Sequence, residues 1–571
     1  MMASWRATTF APFKSRIFFA IWAASLISNF GSLTQAVGAS WLMISIAPSP
    51  NMVALVQALT SLPIMLLALP AGALADIWDH RVTMLIALGV NLTAAAVLAA
   101  IAYMGHVTPW TLLAFTFLLG CGVALYGPAW QSSIGEQVPR EEVPAAVSLN
   151  SLASNLSQTV GPAIGGVIVA TAGPAAAFLV NSVSYVALIV VLSTWRRERQ
   201  KPALPPERMQ MAMQAGLRYV LHSPAIRAVL VRGFLFGLLG SATWALMPLI
   251  ARDLLGGGAP TYGFLFGSFG VGAVIGSLTA GIIRARLSYH VIITLASLSF
   301  GIMAVGIAFS SHVAVTAVLL LISGISWISV LSTLNITVQI SSPRWVVGRA
   351  LAIYQMLMFG GLAAGSWLFG ELAQEGGIGM SLIVAGAAMA SLAVLGFRMK
   401  LPHTANLKLD PFRSTLTPPN VTAEVVPQSG PVVVSVEYKI TAEDRDAFMI
   451  GMREMRRIRK RNGAQRWTLL QDIDDLSRWT EHFVCPTWLE YLRQRQRLTL
   501  SDSEVALRVQ GFHRGDNPIR VRHQLERTPT AASNLKSEVE RIRERASVVD
   551  PYLPAIAMPA ARDAKPETPN H

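Results

Sequence analysis

Charge is scarce in this chain. Of its 571 residues only 14% are Asp, Glu, Lys or Arg, against 53% hydrophobic, and the mean hydropathy is +0.47. Ordinary cytosolic enzymes carry roughly 25% charged residues, so lipid is the first solvent to consider. Cysteine is nearly absent. Cys121 and Cys485 cannot build a disulfide framework and need no oxidising compartment. No Gly-x-x-x-x-Gly-Lys-Ser/Thr segment is present to cradle a nucleotide phosphate, which argues against ATP-driven pumping. The N-terminus lacks a short apolar core followed by a small-residue cleavage site; its first apolar run begins at Ile17 and continues past Gly38, so no removed signal peptide is expected. Neither a metal nor a cofactor is expected.

What is present is a series of long apolar blocks separated by short gaps. A helix needs about 20 apolar residues to cross about 30 Å of hydrocarbon, and only helices or closed barrels satisfy their backbone there. Twelve blocks can be drawn, near 16–45, 51–75, 82–104, 109–134, 145–171, 174–195, 226–251, 261–283, 290–310, 313–340, 346–371 and 378–398. Alternate gaps differ. One set carries Arg81, Arg140, the run from Arg196 to Lys201, Arg284 with Arg286, and Arg344 with Arg349; the other is nearly uncharged, apart from Arg252 and Asp253. Positive charge stays on the cytoplasmic side, which puts the basic gaps and both termini there. The same rule accounts for the +14 formal charge without nucleic acid as a partner.

The longest basic gap, Arg196 to Arg227, divides the blocks six and six, and the two sets match. A shift of 204 carries Pro139-Arg140 onto Pro343-Arg344, Gly161 onto Gly365 and Gly166 onto Gly370. Two parallel six-helix halves follow. Between them, Met209, Met213, Leu217, Val220 and Leu221 make an apolar stripe beside Arg208, Gln210, Gln214 and Arg218, suited to a helix lying on the membrane surface.

Gly72-Ala73-Leu74-Ala75-Asp76-Ile77-Trp78-Asp79-His80-Arg81 resembles the loop between the second and third helices of the major facilitator superfamily, usually Gly-x-Leu-Ala-Asp-Arg-x-Gly-Arg-Arg/Lys. Gly72, Leu74, Ala75, Asp76 and Arg81 agree, whereas Ile77 replaces the usual Arg and Asp79 the Gly. The resemblance implies that Asp76 helps latch the halves in one closed state; Asp76 and Arg81 could instead only anchor a turn. Ser157-Gln158-Thr159-Val160-Gly161-Pro162-Ala163-Ile164-Gly165-Gly166 is similar to the antiporter motif Gly-x-x-x-Gly-Pro-x-x-Gly-Gly, with Ser157 for the first Gly. Pro162 bends the helix, while Gly161, Gly165 and Gly166 allow close approach. Such a bend seals a leak path in an exporter, or the residues simply pack helices tightly. With Tyr126-Gly127-Pro128-Ala129-Trp130-Gln131, the chain most resembles the enterobactin-exporter and secretion-effector branch. That implies proton-coupled efflux of a siderophore, drug or metabolite across the bacterial inner membrane. An importer, a membrane receptor or a transporter fused to a catalytic domain are the alternatives.

Charged groups inside the blocks are few, so cavity polarity falls to amides: Asn29, Gln35, Gln57, Asn155, Gln158, Asn181, Asn335, Gln339 and Gln355. Each of these can equally be glue between helices. Trp22, Trp41, Tyr126, Trp244, Trp327, Tyr354 and Trp367 read either as cavity walls or as interface belts. A neutral or amphipathic organic substrate is implied. Proton coupling needs a titratable group, and its candidates are peripheral: Asp76, Glu136, Asp253 and Glu371.

Beyond Leu401 the chain reads as soluble protein. A linker occupies 401–430, an α+β domain 431–528, and a charged helix near Asn534 to Ala546 precedes a Pro-rich end. A strand from Val432 to Ile440, a helix from Ala442 to Arg461, strands at Arg466 to Ile473 and Arg478 to Cys485, and a helix from Thr487 to Arg497 follow a ferredoxin-like order. With Trp467, Trp479, Glu481, His482, Phe483 and Trp488-Leu489-Glu490-Tyr491, the domain resembles the dimeric α+β barrels of antibiotic-biosynthesis monooxygenases. That resemblance implies self-association, or an oxygen-chemistry role for His482 or a Trp. Arg453, Arg456, Arg457, Arg459, Lys460 and Arg461, with Arg493, Arg495 and Arg497, form either a lipid-headgroup site or a solvated face. The expected whole is an all-α polytopic membrane protein of twelve helices, with halves at 1–195 and 226–400 joined by a loop at 196–225, plus the small α+β domain.

Overall fold

The structure is a computed structural model that describes residues 10–195, 209–396 and 425–527, apart from 48, 344 and 516. The basic run from Arg196 to Lys201, most of the linker and the charged C-terminal helix lie outside the described residues. The chain forms two compact units: Met1–Thr417 with Gly451–Gly463 and Arg495–Arg508, and Pro418–Ile450 with Ala464–Gln494 and Val509–His571.

Among the described residues of the first unit, ten helices are long and apolar enough to cross a membrane. They are α1 (Arg16–Ile46), α2 (Pro50–Ile77), α3 (His80–Tyr103), α4 (Pro109–Gln137), α5 (Val143–Thr194), α7 (Pro224–Leu249), α8 (Ala259–Arg286), α9 (Tyr289–Ala308), α10 (Val313–Ile340) and α11 (Val347–Gly396); the short α6 (Met209–Leu221) joins the halves. Polar side chains set their starts. Ser15, Ser49, Asp79, Thr108 and Ser288 each accept hydrogen bonds from first-turn N–H groups of α1, α2, α3, α4 and α9, satisfying donors that would otherwise be orphaned in an apolar setting.

Helices α5 and α11 contain 52 and 50 residues. At 1.5 Å per residue either would run to roughly 75 Å, more than twice the hydrocarbon thickness. Each is divided by a glycine in the left-handed region, Gly173 at φ 80° and Gly377 at φ 85°, a conformation that only glycine adopts without strain. Twelve spans result. The two break points are 377 − 173 = 204 residues apart, the shift already seen between the halves. Exposed faces of the spans are apolar, as at Val183, Leu278 and Ile282, which suits contact with lipid.

Small residues bring the spans together. A Cβ on Gly161 would stand 3.1 Å from Leu33, and one on Gly165 2.9 Å from the Thr34 backbone, so the first arm of α5 lies hard against α1. At Gly365, the counterpart of Gly161, a Cβ would meet the Leu238 carbonyl and Ser241 of α7. Between halves, a Cβ on Gly166 would come within 2.8 Å of the Ala259 carbonyl, and one on Gly263 within 2.5 Å of the Pro162 carbonyl. The counterpart of Gly166, Gly370, sits in the same way against Asn51 and Ala54 of α2. The halves therefore meet along two related seams, α5 with α8 and α11 with α2, and both close at the end of the bundle with uncharged gaps.

In the second unit, β1 (Val432–Lys439), β2 (Arg466–Gln471), β3 (Arg478–Cys485) and β4 (Arg520–Leu525) form an antiparallel sheet in the order β2-β3-β1-β4, the ferredoxin-like arrangement. Val434 lies opposite both Phe483 and His523, and Val432, Val434, Val436, Tyr438, Trp479 and Phe483 share one buried face. Phe448, on α12 (Arg445–Asn462), packs edge-on against Tyr438 at 5.5 Å. Two elements go beyond the strand-helix-strand-strand-helix expectation. After α13 (Trp488–Gln496) come α14 (Leu500–Gln510) and β4, the latter a strand whose Arg520, Arg522 and His523 mask its alternation.

Replacing Gly166 or Gly370 by Val should expel the seam that each residue closes. The expected outcome is transport reduced by at least about tenfold at normal membrane expression, the size expected where backbone rather than a flexible side chain would have to move. Gly89→Ala, at a position with nothing within 4 Å of the added Cβ, should be silent in the same assay.

Candidate functional site

The polar residues of α1 and of the second arm of α5 recur one turn apart, which places them on single faces. Ser32 and Gln35 are three apart, Asn181 and Tyr185 four. The structure joins the two faces. The Asn181 amide donates to Gln35 Oε1 and, at 3.3 Å, to the Tyr185 hydroxyl; the Ser32 hydroxyl lies 3.2 Å from the Tyr185 hydroxyl and donates to Asn181 Oδ1 at 3.4 Å. Gln35 and Asn181 are 5% and 1% exposed, so this network is satisfied internally, as a buried polar group must be.

These side chains form one wall of a cavity of about 210 Å³ between the halves. Gln57 and Thr60 of α2 and Thr116 of α4 extend the polar wall, while Trp244, Tyr262 and Phe266 of α7 and α8 face it. The opposing wall is aromatic in depth. The Trp244 ring lies 4.7 Å from Phe269, 5.3 Å from Phe266 and 5.6 Å from Trp327; Trp327 in turn packs on Phe236 and Phe300. Trp244 Nε1 is buried and has no partner among the described residues, which leaves an unused donor on this aromatic wall. Among the described residues, no Asp, Glu, Lys, Arg or His lines the cavity. A site without charge can hold a neutral guest by ring stacking and hydrogen bonds, and would leave an ion uncompensated. Its volume is below the roughly 300–1,000 Å³ of pockets for drug-sized ligands, so a larger guest requires the halves to part.

Of the amides singled out from sequence, Gln35, Gln57 and Asn181 line this cavity. The other six lie outside it. Asn155 reaches Ser277 of the opposite half at 3.5 Å, Gln158 bonds Ser154, Gln339 bonds Asn335 one turn away, Asn29 is exposed and Gln355 half-buried. Among the aromatic candidates Trp244 is a wall residue and Trp327 supports it from behind, whereas Trp22 ties α1 to α5 through the Leu149 carbonyl at 2.9 Å. Sequence reasoning missed Ser32, Tyr185, Tyr262 and Phe266. The one-turn spacing of Ser32 from Gln35 and of Tyr185 from Asn181 was a usable signal for the first two.

The peripheral acids separate clearly. The Asp76 side chain lies outside the described residues. Glu136 accepts from His80 at 3.0 Å and Arg81 donates to the Ser193 carbonyl, contacts that stay within the first half. Asp79, the departure from the usual Gly, caps α3 by accepting from the Arg81 and Val82 N–H groups. Asp253 pairs with its neighbour Arg252, whose guanidinium also reaches the Ile44 carbonyl of the first half at 3.4 Å. Glu371 accepts from the Asn51 amide across the α11–α2 seam. It is the acid among these four whose described contact joins the halves directly. In the second unit, His482 bonds Ser435 at 3.1 Å, and the fully buried Glu481 accepts from Trp467 Nε1 at 2.9 Å.

The model of the transmembrane secretion effector family matches residues 7–530. Similar curated proteins include the multidrug efflux pump Tap of Mycolicibacterium fortuitum, 23% identical over 400 residues that cover 68% of this chain and 96% of Tap. The enterobactin exporter EntS of Shigella boydii is 27% identical over 371 residues, 62% of this chain and 82% of EntS. Among solved structures, the nucleoside transporter NupG superposes with a TM-score of 0.57 at 10% identity, over 67% of this chain and 99% of NupG. A POT family transporter does so with a TM-score of 0.56 at 12% identity, over 68% and 97%. At such identities the structural likeness shows the major facilitator fold alone.

Asn181→Leu should leave Gln35 and the Tyr185–Ser32 pair short of a donor and cost about 1–2 kcal/mol, read as a lowered Tm of the purified protein. Gln57→Leu, which breaks only a bond to Ser61 one turn away, should cost under about 0.5 kcal/mol.

Proposed function

The chain belongs to the transmembrane secretion effector family, a family of transporters rather than enzymes, and from that membership we propose that it exports a neutral, ring-bearing small organic molecule by alternating access, driven by protons. The observation that carries this reading is the uncharged cavity between the halves, polar on one wall and aromatic on the other. Direction is supported by two relatives whose names are an efflux pump and an exporter. The basic gaps and both termini face the cytoplasm of a bacterial inner membrane, as the positive-inside rule requires. The seams closed in this structure are then the periplasmic ones, and the cavity loads from the cytoplasm or the inner leaflet.

Proton coupling is assigned to Glu371. An ionised carboxylate accepts from Asn51 and holds the seam; a protonated one accepts more weakly, so the proton is linked to parting of the halves rather than to the cargo itself. The α+β domain is read as a regulatory or self-association module.

Inverted vesicles carrying the protein should accumulate a neutral aromatic probe when energised and lose that accumulation with a protonophore; equal accumulation in both conditions removes proton coupling from the account. Glu371→Gln, which keeps an acceptor for Asn51 but cannot be ionised, should lower gradient-driven accumulation by at least about tenfold while leaving unenergised probe exchange within about twofold of wild type.

A further inference from the structure

The arginines of helix α12, with Arg493, Arg495 and Arg497 at the end of α13, read from sequence as a lipid-headgroup site or a solvated face. Two of their arginines are neither. Within the first unit the Arg461 guanidinium lies over the Tyr219 ring at 5.3 Å, and Arg497 lies over the Trp345 ring at 4.6 Å. The two rings meet edge to face at 5.6 Å. Both arginines are tied together from behind: Arg461 pairs with Asp502, the Asn462 amide reaches the same carboxylate, and Arg497 donates to the Asn462 carbonyl at 3.1 Å. Arg497, Asp502, Asn462 and Tyr219 are 6%, 5%, 1% and 1% exposed. Burial pushes the Tyr219 phenol up to about 12, with the Arg461 charge opposing, so the ring is neutral at working pH. A desolvated guanidinium on an aromatic face is among the strongest forms of this contact.

The rings occupy a mechanically sensitive place. Tyr219 is on α6, the connection between the halves, which packs against both α2 and α11. Trp345 is in the turn that opens α11. Tyr219 also donates to the Ser341 carbonyl in that turn at 3.3 Å, and Gly216 of α6 lets the Arg349 stem approach to within 2.8 Å of where a Cβ would stand. We infer that Arg461 and Arg497 clamp the connecting helix onto the turn before α11, so that these C-terminal segments bias the transporter toward the arrangement seen here, closed at the uncharged end. Rocking of one half past the other must carry α6 with only one of them, and the clamp assigns it to the second half.

The test is a distance across the uncharged end in the full-length protein reconstituted in nanodiscs, with Cys121 and Cys485 replaced and spin labels at His106 and His312, exposed loop positions one in each half. In the double variant Arg461→Ala/Arg497→Ala the longer-distance, open population should rise by at least about threefold, the effect of losing two desolvated cation–ring contacts. Trp345→Ala should do the same and Trp345→Phe, which keeps a ring face, should stay near wild type. Arg508→Ala, breaking an exposed pair with Glu454 in the same segment, should change nothing. Should the double variant not survive extraction, the two Trp345 variants carry the test alone. An unchanged distribution in the double variant overturns the clamp, as does a Trp345→Phe shift as large as that of Trp345→Ala. Because the readout needs neither cargo nor a gradient, failure of the export reading would leave this result standing, and the reverse.

Discussion

Close backbone approach between helices is the constraint on which this structure depends. In lipid, burying an apolar side chain against another helix gains little over burying it against acyl chains, so association rests on surfaces that fit without side chains between them. Gly166 and Gly263 bring α5 and α8 together, and Gly370 brings α11 to α2. The same spacing serves twice, since Gly161, Gly166 and Gly173 recur 204 residues on as Gly365, Gly370 and Gly377. The frame is thus a duplicated solution to one packing problem, and the break at Gly173 and Gly377 fixes where each fifth span ends and each sixth begins.

The lining of the cavity has not kept that symmetry. Shifted by the same 204 residues, Asn181 falls on Ala385 and Tyr185 on Met389, both buried. The first half supplies amides and hydroxyls, the second rings. Polar groups away from water are tolerated when they are hydrogen-bonded, and Ser32, Gln35, Asn181 and Tyr185 bond one another. A guest that enters must therefore compete with existing hydrogen bonds on one side while stacking on the other, a requirement that favours neutral molecules with both kinds of surface.

Much of this was legible in the residues. Span positions follow from apolar run length, and the halves from repeated Pro-Arg and Gly landmarks, because both are local properties with a fixed geometric meaning. The cavity was less legible. Nothing local to Gln35 distinguishes it from Gln339; one meets Asn181 across a helix pair and the other bonds its own helix neighbour. The arginines of α12 and of the end of α13 misled for a similar reason, since a run of charge usually means solvent, and only the tertiary partners Tyr219 and Trp345 turn Arg461 and Arg497 into buried contacts. In the α+β unit β4 stayed hidden because arginine and histidine interrupt its pattern at an edge of the sheet, where both faces tolerate polarity.

Whether the α11–α2 seam opens in every cycle is the question that bears most directly on the account. Cysteines at positions 51 and 371, in a chain otherwise without them, allow the seam to be sealed and reopened by oxidant and reductant while unenergised exchange of a neutral aromatic probe, which does not need the Glu371 carboxyl, is followed. The account predicts that transport stops when the disulfide forms and returns on reduction. Undiminished transport by the fully oxidised protein would contradict it.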